Sequence, residues 1–300
     1  MDPNSNALQF ANNLSKWAEY YAQKQVVSEV WMQFLHDLKY KNRFIPDKTV
    51  MRFIKKLPKY TEVLPKSSEY FRARIIEVDD FINMKIIKNE DDGLSGIYGL
   101  SGDKMGAPPE RIATSGRANP MGISYLYLAS DEATACIEVR PALYECISVS
   151  KFKLNKKLKV INLCKAEIED TIERLFISNI MVAFATPYRK QNDIEYSATQ
   201  YISAFVKSKG FDGIKYCSMS NDNNGNAFNL VLFNTAMATP VNDYGTVYRK
   251  FKTTTEFQNL SVLNVETSTA VGGTKPMEVH DIIVTKESFI KHQREAKQLK

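Results

Sequence analysis

Gly116-Arg117-Ala118-Asn119-Pro120-Met121-Gly122 runs into Tyr125-Leu126-Tyr127-Leu128-Ala129, and then Ser130-Asp131-Glu132 leads through Ala133, Ala135, Cys136 and Ile137 to Glu138. The glycines and Pro120 mark the first segment as a loop. The aromatic and aliphatic run after it reads as a strand. Ser130 followed by two acids reads as the cap and first turn of a helix. Strand into helix, with further strands on both sides, predicts an α+β fold around a mixed or antiparallel sheet. The same stretch carries an arginine, flanking glycines and a carboxylate. A guanidinium grips phosphate oxygens in pairs, glycine lets backbone approach a ligand, and a carboxylate stabilises a sugar cation. The set suits an anionic ligand that contains a ribose.

Working toward the N-terminus, Tyr70 to Ile76 alternates as a half-buried strand. Residues 89–120 are rich in Gly, Pro, Asp and Ser, and a loop of that length points to a functional site. Residues 5–45 read as helix: Leu8, Leu14, Trp17, Tyr20, Tyr21, Val27, Val30, Trp31, Phe34, Leu35 and Leu38 recur at three- and four-residue spacing, a stripe read as a core face. Pro46 stops this pattern, and Asp47 is placed to cap a short helix from Thr49 to Leu57. Toward the C-terminus, strands are expected at 144–154 and 158–162 and helices at 167–185 and 197–209, the last ended by Gly210. A strand at 214–216 delivers Ser218, a turn falls at 221–225, and Asn229 to Phe233 is a central apolar strand. Weak β segments follow at 247–251, 260–265 and 281–285. The expected organisation is a helical region over 1–66, a catalytic domain over 67–240, and a C-terminal extension over 241–300 packed on the core.

A chain of 300 residues that is 44% hydrophobic and 25% charged has the composition of a soluble globular protein. It has no run of eighteen apolar residues, so no membrane span is expected. The first residues lack a basic-then-apolar signal, which favours the cytoplasm. Cys136, Cys146, Cys164 and Cys217 are scattered and read as free thiols in a reducing compartment. The three histidines lie far apart, so no metal site is expected. The net charge of +6 is concentrated before residue 68 and in the last fifteen positions. With no zinc-finger, RRM or helix-turn-helix pattern beside it, this charge reads as a solvated face and a ligand-steering field in preference to a nucleic-acid surface.

Four segments, taken together, resemble the RES-domain family, named for its Arg, Glu and Ser. They are Tyr70-Phe71-Arg72-Ala73-Arg74, the 116–122 loop, the strand and helix from Tyr125 to Glu138, and the run from Tyr196-Ser197-Ala198-Thr199-Gln200 through Gly210-Phe211-Asp212-Gly213 and Ser218 to Phe233. The resemblance covers roughly 68–237. It implies an ADP-ribosyltransferase-like fold and cleavage of NAD+ at the nicotinamide–ribose bond, by phosphorolysis or hydrolysis. It further implies a toxin restrained by an antitoxin or other regulatory protein. NAD+ would be a substrate and inorganic phosphate a co-substrate, with no bound cofactor. By this resemblance Arg72, Glu138 and Ser218 are catalytic, with Arg74 the alternative to Arg72 on its strand. Arg117, Tyr127, Asn119 and Gly122 are assigned to substrate binding. The guanidiniums would clamp the diphosphate, Glu138 would stabilise an oxocarbenium-like ribose, and Tyr127 would stack on nicotinamide. Ser218 would bond the ligand and not act as a nucleophile, since no base adjoins it in sequence. Two alternatives remain open at this point: transfer of ADP-ribose to a protein or nucleic acid, and a non-catalytic binding module. The aromatic N-terminal helices also admit a homo-oligomer or partner interface. The long 91–115 segment, and the absence of a Pro before Gln200, depart from the family pattern.

Overall fold

The computed structural model describes residues 22, 25–77, 79–80, 86–88, 95–143, 145–164, 172–186, 196–218, 227–250 and 257–259. Its strands, in chain order, are β1 (Thr61–Leu64), β2 (Glu69–Ile75), β3 (Ile86–Lys88), β4 (Ser95–Ile97), β5 (Leu126–Ala129), β6 (Cys146–Leu154), β7 (Leu158–Asn162), β8 (Gly213–Cys217), β9 (Phe228–Leu232), β10 (Ala238–Pro240), β11 (Thr246–Lys250) and β12 (Phe257–Asn259). Among the described residues, the α-helices of four residues or more lie at 25–40, Lys48–Ile54, Gly102–Met105, Glu132–Glu138, Ile172–Ala185 and Ser197–Ser208. The α+β class expected from the sequence is the class observed. The chain divides into two units, each drawn from separate segments.

The first unit comprises residues 1–63, 110–123 and 159–217. Helix 25–40 buries Val27, Phe34 and Leu38 on one face, at the seven- and four-residue spacing of an amphipathic helix. Trp31 lies edge-on to Phe176 at 5.5 Å and Phe34 edge-on to Tyr201 at 6.0 Å. The aromatic stripe is therefore core in its described part, while Leu8 to Tyr21 lie outside the described residues. Asp47 caps the next helix by accepting from the Thr49 N–H at 2.7 Å, and these bonds hold its carboxyl below the usual range. Phe53 of that helix stacks on Phe176 at 4.7 Å. Strands β7 and β8 pair in parallel, Ile161 opposite Ile214, which requires a crossover connection. Helices Ile172–Ala185 and Ser197–Ser208 supply it and pack on β8. Gly210, with φ of 78°, ends the second as expected.

The second unit comprises residues 64–109, 124–158 and 218–300. Its strands lie in the order β9-β5-β2-β6-β11-β12, with β10 added to β6 and β3 paired with β4 apart. All its registered pairs are antiparallel. Alternation along β2 puts Phe71, Ala73 and Ile75 on one face, where they pack with Ala135, Cys136, Ile137 and Val139 from helix Glu132–Glu138 and the turn after it. The first turn of that helix differs from the expectation. Asp131, not Ser130, is the cap: its carboxylate accepts from the Thr134 N–H at 2.8 Å and from the Thr134 hydroxyl at 2.7 Å. Ser130 serves Asp131 instead, donating to it at 2.7 Å. A charged acceptor satisfying two donors outcompetes a hydroxyl at this position. The segment read as one long loop also contains structure, since β4 and helix Gly102–Met105 interrupt it. Gly245 lies where a side chain would collide with β6: a Cβ there would come within 2.2 Å of Ser148 Oγ and 2.9 Å of the Val149 carbonyl. The β segments expected at 260–265 and 281–285 lie outside the described residues.

Candidate active site

In the second unit, β5 turns into helix Glu132–Glu138, whose last residue is the acid singled out in the sequence. The Ser218 hydroxyl donates to Glu138 Oε1 at 2.5 Å, and the Asn229 amide donates to the same oxygen at 2.9 Å. Ser218 follows β8 in the chain and its backbone N–H is fixed to the Ala227 carbonyl at 2.9 Å. Asn229 stands on β9 opposite Ala129, the last residue of β5. Three separate stretches of sequence thus meet at one carboxylate oxygen. Both donors are buried, at 9% and 7% exposure. Oε2 has no hydrogen-bond partner among the described residues. An acid so held has a fixed direction and one oxygen left to engage a ligand. The sequence shows no base beside Ser218; the fold supplies an adjoining carboxylate.

Arg72 belongs to the same unit. β2 and β5 share one registered pair, Phe71 opposite Ala129. One residue along β2, the Arg72 side chain donates from Nη1 to the Tyr127 carbonyl at 2.9 Å, so a guanidinium links two strands whose registered pairing stops there. Among the described residues, Arg72 pairs with no carboxylate, and its buried Nε–H has no hydrogen-bond partner. Burial, and then the neighbouring Arg74 cation, bring Arg72 down to about 10, which leaves it charged at neutral pH. A buried cation without a counter-charge is costly, and an anionic ligand would relieve it. No hydrogen bond joins Arg72 to Glu138. Arg74 instead donates to the Lys104 carbonyl.

Arg117, Asn119 and Gly122 lie in the first unit, on the loop 113–123. Gln200, from helix Ser197–Ser208, organises it: its amide donates to Ser115 Oγ at 3.0 Å and to the Gly116 and Asn119 carbonyls at 2.9 and 3.0 Å. Thr199 donates to the Arg117 carbonyl at 2.6 Å. Asn119 is buried, and its amide donates to the Thr114, Pro120 and Ile123 carbonyls, which makes it a brace of the loop. Gly122 adopts φ of 83°, where a Cβ would be strained, and its N–H donates to the Ala113 carbonyl at 2.9 Å. The Arg117 guanidinium lies 5.3 Å from the centre of the Tyr216 ring. Its buried Nη1 has no hydrogen-bond partner among the described residues. Loop, brace and ring fix a cation with unfilled donors, the chemistry of an anion-binding arginine.

Sequence reading named Arg72, Tyr127, Glu138, Ser218, Arg117, Asn119 and Gly122. The structure brings Glu138 and Ser218 into contact and ties Arg72 to the Tyr127 backbone. Asn229 escaped that reading because it opens a run of apolar residues; its signal was a lone amide at the head of an otherwise hydrophobic strand. Gln200 was legible as a motif residue, but its clamp on the loop was not.

The class so defined is an α+β protein with a serine- and asparagine-held glutamate and two arginines that each have a buried nitrogen without a hydrogen-bond partner among the described residues. A family model, the RES domain, matches residues 97–249, and the chain belongs to that family. Among solved structures, the crystal structure of the M. tuberculosis MbcT–MbcA toxin–antitoxin complex is similar at 13% identity, over 68% of this chain and 93% of that chain, with a TM-score of 0.36. No curated protein matches the chain. No helix among the described residues is long and apolar enough to cross a membrane.

Proposed function

We propose that this protein cleaves NAD+ between nicotinamide and ribose, passing the ADP-ribosyl group to phosphate or water, and that it acts as a toxin restrained by an antitoxin. The observation that carries this reading is the Glu138 carboxylate, fixed at Oε1 by Ser218 and Asn229, with Oε2 unpartnered among the described residues. Departure of neutral nicotinamide leaves positive charge on the ribose C1′ and ring oxygen. A pre-oriented carboxylate stabilises that charge as it develops, with no reorganisation at the moment of reaction. Nicotinamide needs no strong acid to leave, so the scheme requires no histidine. Ser218 directs the carboxylate and does not serve as the nucleophile. Arg72, charged and with an unfilled buried donor, is assigned to the anionic part of the substrate. Arg117 presents the same chemistry from its braced loop. Membership of the RES family supports the substrate and the toxin role.

The test is nicotinamide release from NAD+ by the purified full chain, with and without inorganic phosphate, beside Glu138→Gln. ADP-ribose 1″-phosphate as co-product identifies phosphorolysis, and free ADP-ribose identifies hydrolysis. Folded, partner-free protein that releases no nicotinamide under either condition overturns the proposal.

A further inference from the structure

Outside the residues assigned above, the first unit holds a second group with chemistry of its own. β7 and β8 run parallel, with Asn162 opposite Lys215. The Leu163 N–H continues the ladder onto the Lys215 carbonyl at 2.7 Å, so the same register carried two residues on puts Cys164 opposite Cys217. The two thiols adjoin, each acting on the other's titration in the opposite sense. Both are free and partly exposed, whereas Cys136 and Cys146 are buried. The Cys164 end is anchored, its N–H donating to Asn162 Oδ1 at 2.8 Å. Lys215 lies beside the pair with its ammonium 3.2 Å from the Glu62 carboxylate.

We infer that Cys164 and Cys217 form a reversible dithiol–disulfide site that reacts with low-molecular-weight disulfides. Facing residues on paired strands have Cα atoms within the range a disulfide spans, and a short approach of the Cβ atoms closes the bond. Cys217 is the attacking thiol. The adjoining Cys164 thiol, with the Lys215 cation adding to it, brings Cys217 down to about 7, and the same proximity pushes Cys164 up. Near neutral pH much of Cys217 is thiolate, the form that attacks. The Cys217 thiolate displaces one thiolate from the reagent and gives a mixed disulfide. Cys164 then loses its proton, attacks the Cys217 sulfur and expels the second thiolate. Two protein thiols and one small disulfide become one protein disulfide and two small thiols, with two electrons passing to the reagent. Burial raises the Cys136 and Cys146 thiols, which keeps them out of this exchange.

The experiment incubates the full chain in graded mixtures of reduced and oxidised glutathione, quenches with acid and maps peptides without reduction. The expected result is loss of two hydrogens from the whole chain, a single Cys164–Cys217 cross-link, and return to the dithiol on adding reduced glutathione. Cys164→Ser should stop at a glutathione adduct on Cys217, and Cys217→Ser should remain unmodified. No cross-link in excess oxidised glutathione, a cross-link involving Cys136 or Cys146, or an undiminished adduct on Cys164 in Cys217→Ser would overturn it. None of these readouts uses NAD+, so the result stands apart from the proposed enzymatic activity.

Discussion

Replacing Asn229 by Ala removes one of the two donors on Glu138 Oε1, at 2.9 Å, and leaves the Ser218 donor at 2.5 Å. A hydrogen bond to a charged group contributes about 1.5–3 kcal/mol. At about 1.4 kcal/mol per tenfold in rate, loss of the whole bond corresponds to about a 10- to 150-fold fall in kcat/KM. Ser218→Ala should fall in the same range. Because both donors hold one oxygen, the double variant should lose less than the product of the two single losses if removing either donor already frees the carboxylate. It should lose more if the acid swings free only when both are gone. The assay is nicotinamide release over a range of NAD+ concentration, with thermal melting alongside to confirm that each variant folds. Asn229→Asp adds a discriminating arm: it keeps the shape but replaces a donor by a second carboxylate, and should be at least as damaging as Asn229→Ala. Folded Asn229→Ala and Ser218→Ala proteins with undiminished kcat/KM would refute the idea that these side chains direct a catalytic acid.

Glu138→Gln should lower kcat by about 10²–10³-fold or more, the loss found when one preorganised electrostatic group is removed from an active site, with little change in melting temperature. Gln200→Met keeps the length but removes the donor to Ser115, Gly116 and Asn119; about 1 kcal/mol per neutral bond predicts a KM for NAD+ raised about fivefold for each bond whose loss is felt at Arg117, read from the same assay. Gly245→Ala forces a methyl against Ser148 and the Val149 carbonyl and should destabilise the fold by about 1–3 kcal/mol, seen as a lower midpoint in urea. Cys217, with its thiol near pH 7, should alkylate with iodoacetamide at a rate that rises about tenfold per unit below pH 7 and levels off above it. An ordinary thiol would keep rising through pH 8.

Local features were legible where one residue type answers one local demand. The alternation of β2, the Asp47 cap and the Gly210 stop are each decided within a few residues, and the structure has them in place. The Ser130 cap was misassigned for an equally local reason: two neighbouring candidates competed, and the charged one satisfied more donors. The carboxylate's surroundings lay beyond such reading. Glu138 lies 80 positions from Ser218 and 91 from Asn229, and only pairing of β5 with β9 places Asn229 where its amide reaches the acid. Cys164 and Cys217 illustrate the same limit. Nothing in their spacing suggests contact, and the parallel register of β7 and β8 creates it.

The link from Arg72 to the Tyr127 carbonyl has an evolutionary corollary. That arginine is a rung between two strands as well as the cation proposed to meet substrate, so selection for folding holds it even where selection for chemistry has lapsed. Glu138 is held by the side chains of Ser218 and Asn229, which can change along with it, whereas the partner of Arg72 is a backbone carbonyl that no substitution removes. A descendant of this protein that lacked catalysis and survived as a binding module should therefore shed its glutamate early and retain its arginine. Persistence of arginine at position 72 is then poor testimony to activity, and the residue at 138 is the one to read.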